Sequence, residues 1–471
     1  MNKALFEQHF GEPLLQTLTL SANGSNRQYW RLIGERHSCI AAYNSDVREN
    51  EAFFYYSQAL KERGVRVPEI YAIAPDRQHY LQQDLGDTTL YSWLYDRRRQ
   101  GVGFDKEALA IYKQVLSDLA YMQVKGADID FSHAYPRASF DAQSICWDLQ
   151  YFKYYFLKLA HVPFDEQLLE NDFHVLTDFL LSADCRYLLY RDFQSRNIML
   201  VDGTPFYIDY QGARQGAAQY DVASLLYSAK SDLPEPIRQE LLAHYIKEFE
   251  THTLAPRGRR PQFTHYFYAY VLVRILQAMG AYGYRGWFER KAYFLQSIPL
   301  AINNLRNLLQ DHPLPVELPH LMSVLQQMVE RPWTPDEGQQ AEGLTVTVGS
   351  FSYKKGLPED PTGNGGGFIF DCRALPNPGR YPEYRAYTGR DLPVIQFLQG
   401  DPAVEDFLAH AQQLVAASIR NYQERHFSNL SVSFGCTGGQ HRSVYCAERL
   451  ARWISENFDC HVVVKHREQQ K

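Results

Sequence analysis

The sequence predicts an α+β domain of two lobes followed by a small α/β domain, and three observations predict it. Up to residue 87 the chain reads as short strands around one helix; from Leu90 the apolar spacing turns helical and stays so to about Leu325; beyond a proline-rich stretch, strands and helices alternate. A chain of 471 residues is long enough for two or three domains that each bury a core without disulfide or metal staples.

In chain order, Leu14 to Ser21 and Gln28 to Ile33 are strands flanking a turn at Asn23-Gly24-Ser25-Asn26, and His37 to Tyr43 is a third. Arg48 to Leu60 fits a helix, and Glu69 to Ile73 and Tyr80 to Leu85 are two more short strands that end at Gly86-Asp87. That change in period places a boundary between a first lobe, 1–87, and a helical second lobe, 88–330. One compact irregular stretch, Tyr187 to Gly216, interrupts the helices and contains two short apolar strands. Arg331-Pro332-Trp333-Thr334-Pro335 opens a linker, 331–342. In 343–471, Leu344 to Val348, Phe368 to Asp371, Ser431 to Phe434 and His461 to Val464 read as strands, and Ala403 to Gln423 and Ser443 to Glu456 as helices.

Composition excludes several function classes. Lys plus Arg of 48 against Asp plus Glu of 54 leaves a net charge of −6, too little of either sign for bulk binding of a polyanion. No apolar run approaches the roughly 18 residues needed to cross a bilayer. The start, Met1-Asn2-Lys3-Ala4-Leu5-Phe6-Glu7, lacks an export signal, so a cytoplasmic location is expected. Seven cysteines with no CxxC pair argue against a disulfide framework or a zinc site.

The chemistry-bearing segment of the first part is Tyr190-Arg191-Asp192-Phe193-Gln194-Ser195-Arg196-Asn197, followed by Ile208-Asp209-Tyr210. Phosphoryl transfer needs a carboxylate to orient the acceptor hydroxyl and oxygen ligands that hold magnesium against the ATP phosphates. Asp192 and Asn197 have the D-x-x-x-x-N spacing of a kinase catalytic loop, and Asp209 ends a second short strand, where the metal-binding Asp of such a loop sits. Any one of the three would read more readily as a turn or strand-end residue; their order after a strand-rich opening favours chemistry. Aromatic runs such as Tyr151 to Phe156 and Tyr266 to Tyr270 read as core, and Arg97-Arg98-Arg99 as a solvated helix end.

Through Gly24-Ser25-Asn26-Arg27, Arg191 to Asn197, Ile208-Asp209-Tyr210-Gln211 and Tyr220-Asp221-Val222-Ala223, the chain resembles the aminoglycoside phosphotransferase-like kinases over about residues 10 to 310. It is most similar to those acting on the anomeric hydroxyl of N-acetylmuramate or N-acetylglucosamine in cell-wall recycling. The resemblance implies a bilobal protein-kinase-like fold with ATP and Mg2+ as cofactors and a small-molecule sugar as substrate. It implies Asp192 as catalytic base, Asn197 and Asp209 as magnesium ligands, Ser25, Asn26 and Arg27 as the cover over the phosphates, and Asp221 as a brace for the loop. Gln82 and Asp84, in the run Leu81 to Gly86, would meet adenine through the backbone. Two departures stand out. The third strand, His37 to Tyr43, has no lysine for the α- and β-phosphates, so Arg27 or Arg31 is the nearest candidate and Glu49 and Glu51 are left without their usual partner. Tyr190 stands where the family often has His.

In the last part, Ser431 to Cys446 reads as strand, glycine-containing loop and helix, a geometry whose N–H groups attract anions. Cys436, Thr437, Gly438, Gly439, His441, Arg442 and Ser443 form the candidate anion site. Cys436 and Arg442 also match C-x-x-x-x-x-R followed by Ser, the pattern of cysteine-dependent phosphatases. Phe351 to Pro358, Phe370 to Pro378, Tyr387-Thr388-Gly389 and Gly435 to Val444 resemble the C-terminal domain of the RNase adapter RapZ across nearly all of 350–471. That resemblance implies sensing of a phosphorylated amino sugar and binding of RNA. Residues 342 to 471 carry 14 Lys plus Arg against 14 Asp plus Glu, which disfavours RNA binding by counterion release. The sequence therefore points to a sugar kinase with a domain that senses a phosphorylated metabolite. Two readings stay open beside it: a nucleotide-binding pseudokinase regulator, and a phosphatase centred on Cys436 and Arg442.

Overall fold

The computed structural model describes residues 2–20, 27–253, 260–289, 292–333, 344–358, 367–424, 427–458 and 460–469. The chain divides into two compact units, Met1–Tyr284 with Ser297–Trp333 and Arg285–Gln296 with Thr334–Lys471. The first unit sets a five-stranded antiparallel sheet before a mostly helical lobe, and the second is built on a four-stranded parallel sheet.

The first unit opens with helix α1 (Asn2–Phe10), which the sequence reading did not anticipate; its Phe6 is sealed against Leu32, Cys39, Ala41 and Leu81 of the sheet. Strands β1 (Gln16–Leu20), β2 (Gln28–Ile33), β3 (Ser38–Tyr43), β4 (Ile70–Ile73) and β5 (His79–Gln83) form an antiparallel sheet in the order β1-β2-β3-β5-β4. The turn expected at residues 23–26 lies outside the described residues. Between β3 and β4 runs α2 (Val47–Glu62), capped by Asp46, whose carboxylate accepts from the N–H groups of Arg48 and Glu49.

The helical lobe follows with α3 (Leu90–Arg99), α4 (Lys106–Lys125), α5 (Ala142–Phe152) and α6 (Glu166–Leu181). The stretch 187–216 holds four short strands where two were expected: β6 (Tyr187–Leu189), β7 (Ile198–Val201), β8 (Thr204–Tyr207) and β9 (Arg214–Gly216). β6 pairs with β9 and β7 with β8, both antiparallel. The β7–β8 hairpin turns on Asp202-Gly203, both at positive φ (49° and 76°), the signature of a tight two-residue turn. Helices α7 (Gln219–Leu226), α8 (Glu235–His252), α9 (Arg260–Gly283), α10 (Ile298–Asp311) and α11 (Pro319–Glu330) complete the lobe. Phe152, Phe156, Phe267 and Tyr270 are buried in its core, as aromatic spacing implied.

In the second unit, β10 (Thr345–Ser352), β11 (Phe368–Asp371), β12 (Asn429–Cys436) and β13 (His461–His466) pair in parallel in the order β11-β12-β10-β13. Helices α12 (Leu392–Gln399), α13 (Pro402–Glu424) and α14 (Arg442–Asn457) cover the sheet around a core that includes Val346, Val432, Phe434, Leu408 and Leu450. α12 was not expected from the sequence. Most of the expected linker and of the glycine patch 363–367 lies outside the described residues.

Candidate active site and anion loop

The candidate catalytic loop is placed by buried backbone. β6 is buried at all three positions and delivers Tyr190 and Arg191 into a turn whose two main-chain N–H groups donate to Asp221 at 2.7 and 3.0 Å. Asp221, fully buried in α7, also accepts from Gln123 Nε2 at 3.1 Å. Burial pushes its carboxyl up to about 7 against the pull of those donors. The Tyr190 hydroxyl donates to the Ile208 carbonyl at 2.6 Å, tying the loop to the residue before Asp209. Arg191 and Asp209 both hold positive φ, 83° and 71°, conformations that non-glycine residues keep only where their surroundings over-determine them. For Arg191 the surroundings are Asp148, which takes its guanidinium bidentately at 2.7 and 2.5 Å, and the Tyr220 hydroxyl.

Asn197 Nδ2 donates to the Asp192 carbonyl at 2.9 Å and to Asp209 Oδ2 at 3.1 Å, while Gln211 Nε2 donates to Asp209 Oδ1 at 2.7 Å. Burial, and then the negative charge of Asp192, push the Asp209 carboxyl above its ordinary range; the Gln211 bond and the charge of Arg27 pull the other way. Asp192, Asn197 and Asp209 thus form one cluster of oxygen-bearing side chains in which two carboxylates repel. A hard divalent cation of the magnesium type relieves that repulsion, and this donor set fits it: one or two carboxylates and an amide, with phosphate oxygens and water completing the shell. No group of three or more His, Cys, Asp or Glu residues poised to hold a metal by themselves occurs among the described residues.

β3 carries no lysine, and a buried arginine pairs with the acid in the first turn of α2. Arg27, 3% exposed, enters just before β2 and sets Nη2 at 3.4 Å from Glu49 Oε1 in the first turn of α2. Both acids lack the strand lysine, as expected, and have arginine partners instead: Glu49 has Arg27 and Glu51 has Arg77. Arg31, the other candidate for the phosphates, is committed elsewhere: it grips Asp84 at 2.7 and 3.0 Å and Asp87 at 3.0 and 2.9 Å. Asp84 anchors the segment after β5 through that pair and accepts from Gly86 N at 3.0 Å, and Gln82 lies in β5 between β3 and β4. Ser25 and Asn26 lie outside the described residues.

In the second unit the loop sits at the carboxyl end of β12, the strand flanked by β11 and β10, where open parallel sheets offer a crevice. Cys436 ends β12 and is 3% exposed. Burial alone would raise its thiol, yet the Ser443 hydroxyl at 3.1 Å, the Gly439 N–H at 3.2 Å and the amides of Ser443 and Gly438 hold it below the ordinary value. Gly439 has φ 68°, and a Cβ there would meet Glu468 Cγ at 2.4 Å, so only glycine fits. Thr437 and Gly438 are exposed at the tip. His441 and Arg442 are buried and occupied: His441 Nε2 donates to the Tyr384 carbonyl at 3.0 Å, and Arg442 Nη1 to the carbonyls of Arg373 and Leu375 at 2.9 and 3.0 Å. Arg442 Nε is buried without an acceptor among the described residues. The structure thus spends His441 and part of Arg442 on bracing the loop, a role the sequence alone did not suggest.

Residues 17–258 match the model of the phosphotransferase enzyme family, and residues 344–470 that of the RapZ C-terminal domain. A nucleotide-binding protein of Chromobacterium violaceum is 45% identical over 125 residues, which is 26% of this chain and 42% of that protein. One from Acidithiobacillus ferrooxidans is 44% identical over 126 residues, 27% of this chain and 40% of that protein. The chain thus spans about two-fifths of the length of these relatives. Among solved structures, a thermostable mutant of aminoglycoside phosphotransferase APH(4)-Ia is 15% identical, with a TM-score of 0.40, covering 64% of this chain and 98% of its own. Choline kinase LicA from Streptococcus pneumoniae is 14% identical, with a TM-score of 0.43, covering 65% and 98%.

Proposed function

We propose, for a chain that belongs to the phosphotransferase enzyme family and carries a RapZ C-terminal domain, an ATP- and Mg2+-dependent transfer of phosphate to a sugar hydroxyl, an amino sugar of cell-wall recycling being the acceptor that the sequence resemblance favours. The observation that carries the reading is the convergence of Asp192, Asn197 and Asp209 on one cluster held by Asp221 and Asp148. Asp192 orients the acceptor hydroxyl and takes its proton. Asp209 and Asn197 would hold magnesium, which would offset the charge of the nucleotide phosphates. Arg27, kept in place by Glu49, faces the nucleotide phosphates in the role of the absent strand lysine. Adenine is met by the backbone of residues 82–86. The domain 343–471 binds a phosphorylated sugar through the N–H groups of the loop after Cys436.

The test is a screen of amino sugars with labelled ATP and magnesium. Transfer to a sugar that stops in Asp192→Ala supports the reading; nucleotide binding with no transfer to any acceptor makes the protein a pseudokinase regulator. A phosphatase reading of 343–471 has one observation in its favour, the hydrogen bonds that hold the Cys436 thiol below its ordinary value and so favour its thiolate. Hydrolysis of a generic aryl phosphate that vanishes in Cys436→Ser would establish it. The commitment of Arg442 Nη1 to two main-chain carbonyls weighs against it.

A further inference from the structure

Arg214 stands on β9 opposite Leu189 of β6, the strand that delivers Asp192, and is 6% exposed. Its Nε donates to the Gly212 carbonyl at 3.0 Å. Among the described residues no carboxylate lies within ion-pair distance of its guanidinium. Its terminal nitrogens make no hydrogen bond there, yet they are not sealed from solvent. The other buried arginines of the helical lobe differ. Arg191 has Asp148; Arg238 has Glu235 and Asn304; Arg274 donates to Tyr220, Ser224 and Gln277. A cation taken this far out of water without a counter-charge is costly, and such a site is stable in use when a ligand completes it.

The surroundings say which ligand. Gly212 borders both side chains: a Cβ there would lie in ordinary contact, 3.6 Å from Arg191 Cγ and 3.9 Å from Arg214 Nη2. Around Tyr220 gather the guanidiniums of Arg191, Arg214 and Arg274 and the carboxylates of Asp148 and Asp192, and Asp221 also acts on Arg274. Asp148 is already taken bidentately by Arg191. Burial, and next the charge of Arg191, hold the Arg214 guanidinium below its ordinary value, a pressure that an anion would relieve. The charges that act on Arg214 include that of Asp192.

We propose that Arg214 is a specificity-determining residue for the acceptor: its guanidinium takes a carboxylate of an acidic sugar and so holds the neighbouring hydroxyl against Asp192. This rests on the kinase reading above and names the chemical class of its acceptor. Planar two-point pairing of guanidinium with carboxylate supplies both the affinity and the orientation.

The experiment is calorimetric titration of the full chain, without nucleotide, with N-acetylmuramate and with N-acetylglucosamine, which differ by a lactyl ether bearing a carboxylate; transfer from labelled ATP is measured in parallel. The wild-type protein is expected to bind the acidic sugar more tightly, with a preference that shrinks as salt rises. Arg214→Met is expected to weaken the acidic sugar about 10- to 100-fold and the neutral one less than about 3-fold, while Arg214→Lys keeps most of the preference. Equal binding of the two sugars by the wild-type protein overturns the proposal whether or not the variants fold, and so does an equal loss on both sugars in Arg214→Met. A binding preference without phosphoryl transfer to any sugar sinks the kinase reading and leaves the role of Arg214 standing. Transfer without preference does the reverse.

Discussion

Replacing Asp148 by alanine tests the idea that the catalytic loop is held by a buried ion pair and not by the loop's own sequence. Asp148 on α5 has 6% of its side chain exposed and Arg191 has 17%, so neither charge is well solvated. Two hydrogen bonds of 2.7 and 2.5 Å join them, and the Tyr220 hydroxyl donates to the same carboxylate at 3.1 Å. Removing one partner of such a pair leaves the other charge buried and uncompensated, a loss of about 3–5 kcal/mol. Here the damage is directed, because Arg214 and Arg274 add like charge around the orphaned guanidinium and Arg191 already holds a φ of 83°. The expected result is a fall in stability of about 3–5 kcal/mol, a large part of the 5–15 kcal/mol typical of a domain, with Asp192 displaced and transfer reduced even under conditions where the protein remains folded. Urea unfolding followed by tryptophan fluorescence reads the first effect, Trp147 being adjacent in sequence, and initial rates at saturating ATP read the second. The double variant Asp148→Leu with Arg191→Met should recover part of the stability but not the activity, since it removes the unpaired charge without restoring the turn. Stability of Asp148→Ala within about 0.5 kcal/mol of wild type would refute the argument that this pair holds the loop.

Asp192→Ala should abolish transfer, by at least about 100-fold, and leave nucleotide binding intact, whereas Asp209→Ala should weaken magnesium-nucleotide binding; rates and calorimetry separate the two. Because Asp209 is shifted upward by burial and by Asp192, its ionised form, the one that would bind a metal, is lost on acidification sooner than that of an ordinary carboxylate. Binding of magnesium-nucleotide at mildly acid pH should therefore release protons, seen as a dependence of the binding heat on the buffer's ionisation enthalpy, and Asp209→Asn should remove it. Arg27→Met should raise KM for ATP by about 10-fold or more, with Arg27→Lys recovering part, in steady-state kinetics at fixed acceptor. In the second unit, Cys436→Ser should leave the binding of inorganic phosphate within about 3-fold of wild type in calorimetry, since the loop's N–H donors and not the thiol supply the attraction.

Much of this protein was readable before any fold was known, and the reason is local. β2 and β11 coincide with the spans that alternation indicated, and α2, α13 and α14 extend theirs by one or two residues at each end, because strand and helix periods and caps such as Asp46 are written in neighbouring residues. The spacing of Asp192 and Asn197 and the later Asp209 were legible for the same reason, and so was the loop from Cys436 to Ser443. The extra strands around the catalytic loop were missed, although Asp202-Gly203 between apolar runs was a usable hairpin signal for β7 and β8; β6 and β9 are three residues each and exist only as partners of one another. α1 carries almost no apolar periodicity and is held by the fit of Phe6 against the sheet.

What only the tertiary structure decided is which charges meet. Composition and spacing offered Arg27 and Arg31 equally for the phosphates; the antiparallel sheet puts Arg31 against Asp84 and Asp87 and brings Arg27 to Glu49, 22 positions on. Arg442 read as an anion donor, and the packing of 373–375 against α14 turned part of it into a brace. Arg191 and Arg214 are 23 positions apart and look alike in sequence, yet one is paired and the other is buried with no carboxylate in ion-pair distance among the described residues. By itself the sequence determined the residue types, their spacing and the periods of the elements that carry them, since those depend on neighbours along the chain. Pairing, burial and the state of each charge depend on neighbours in space, and only the fold supplies them.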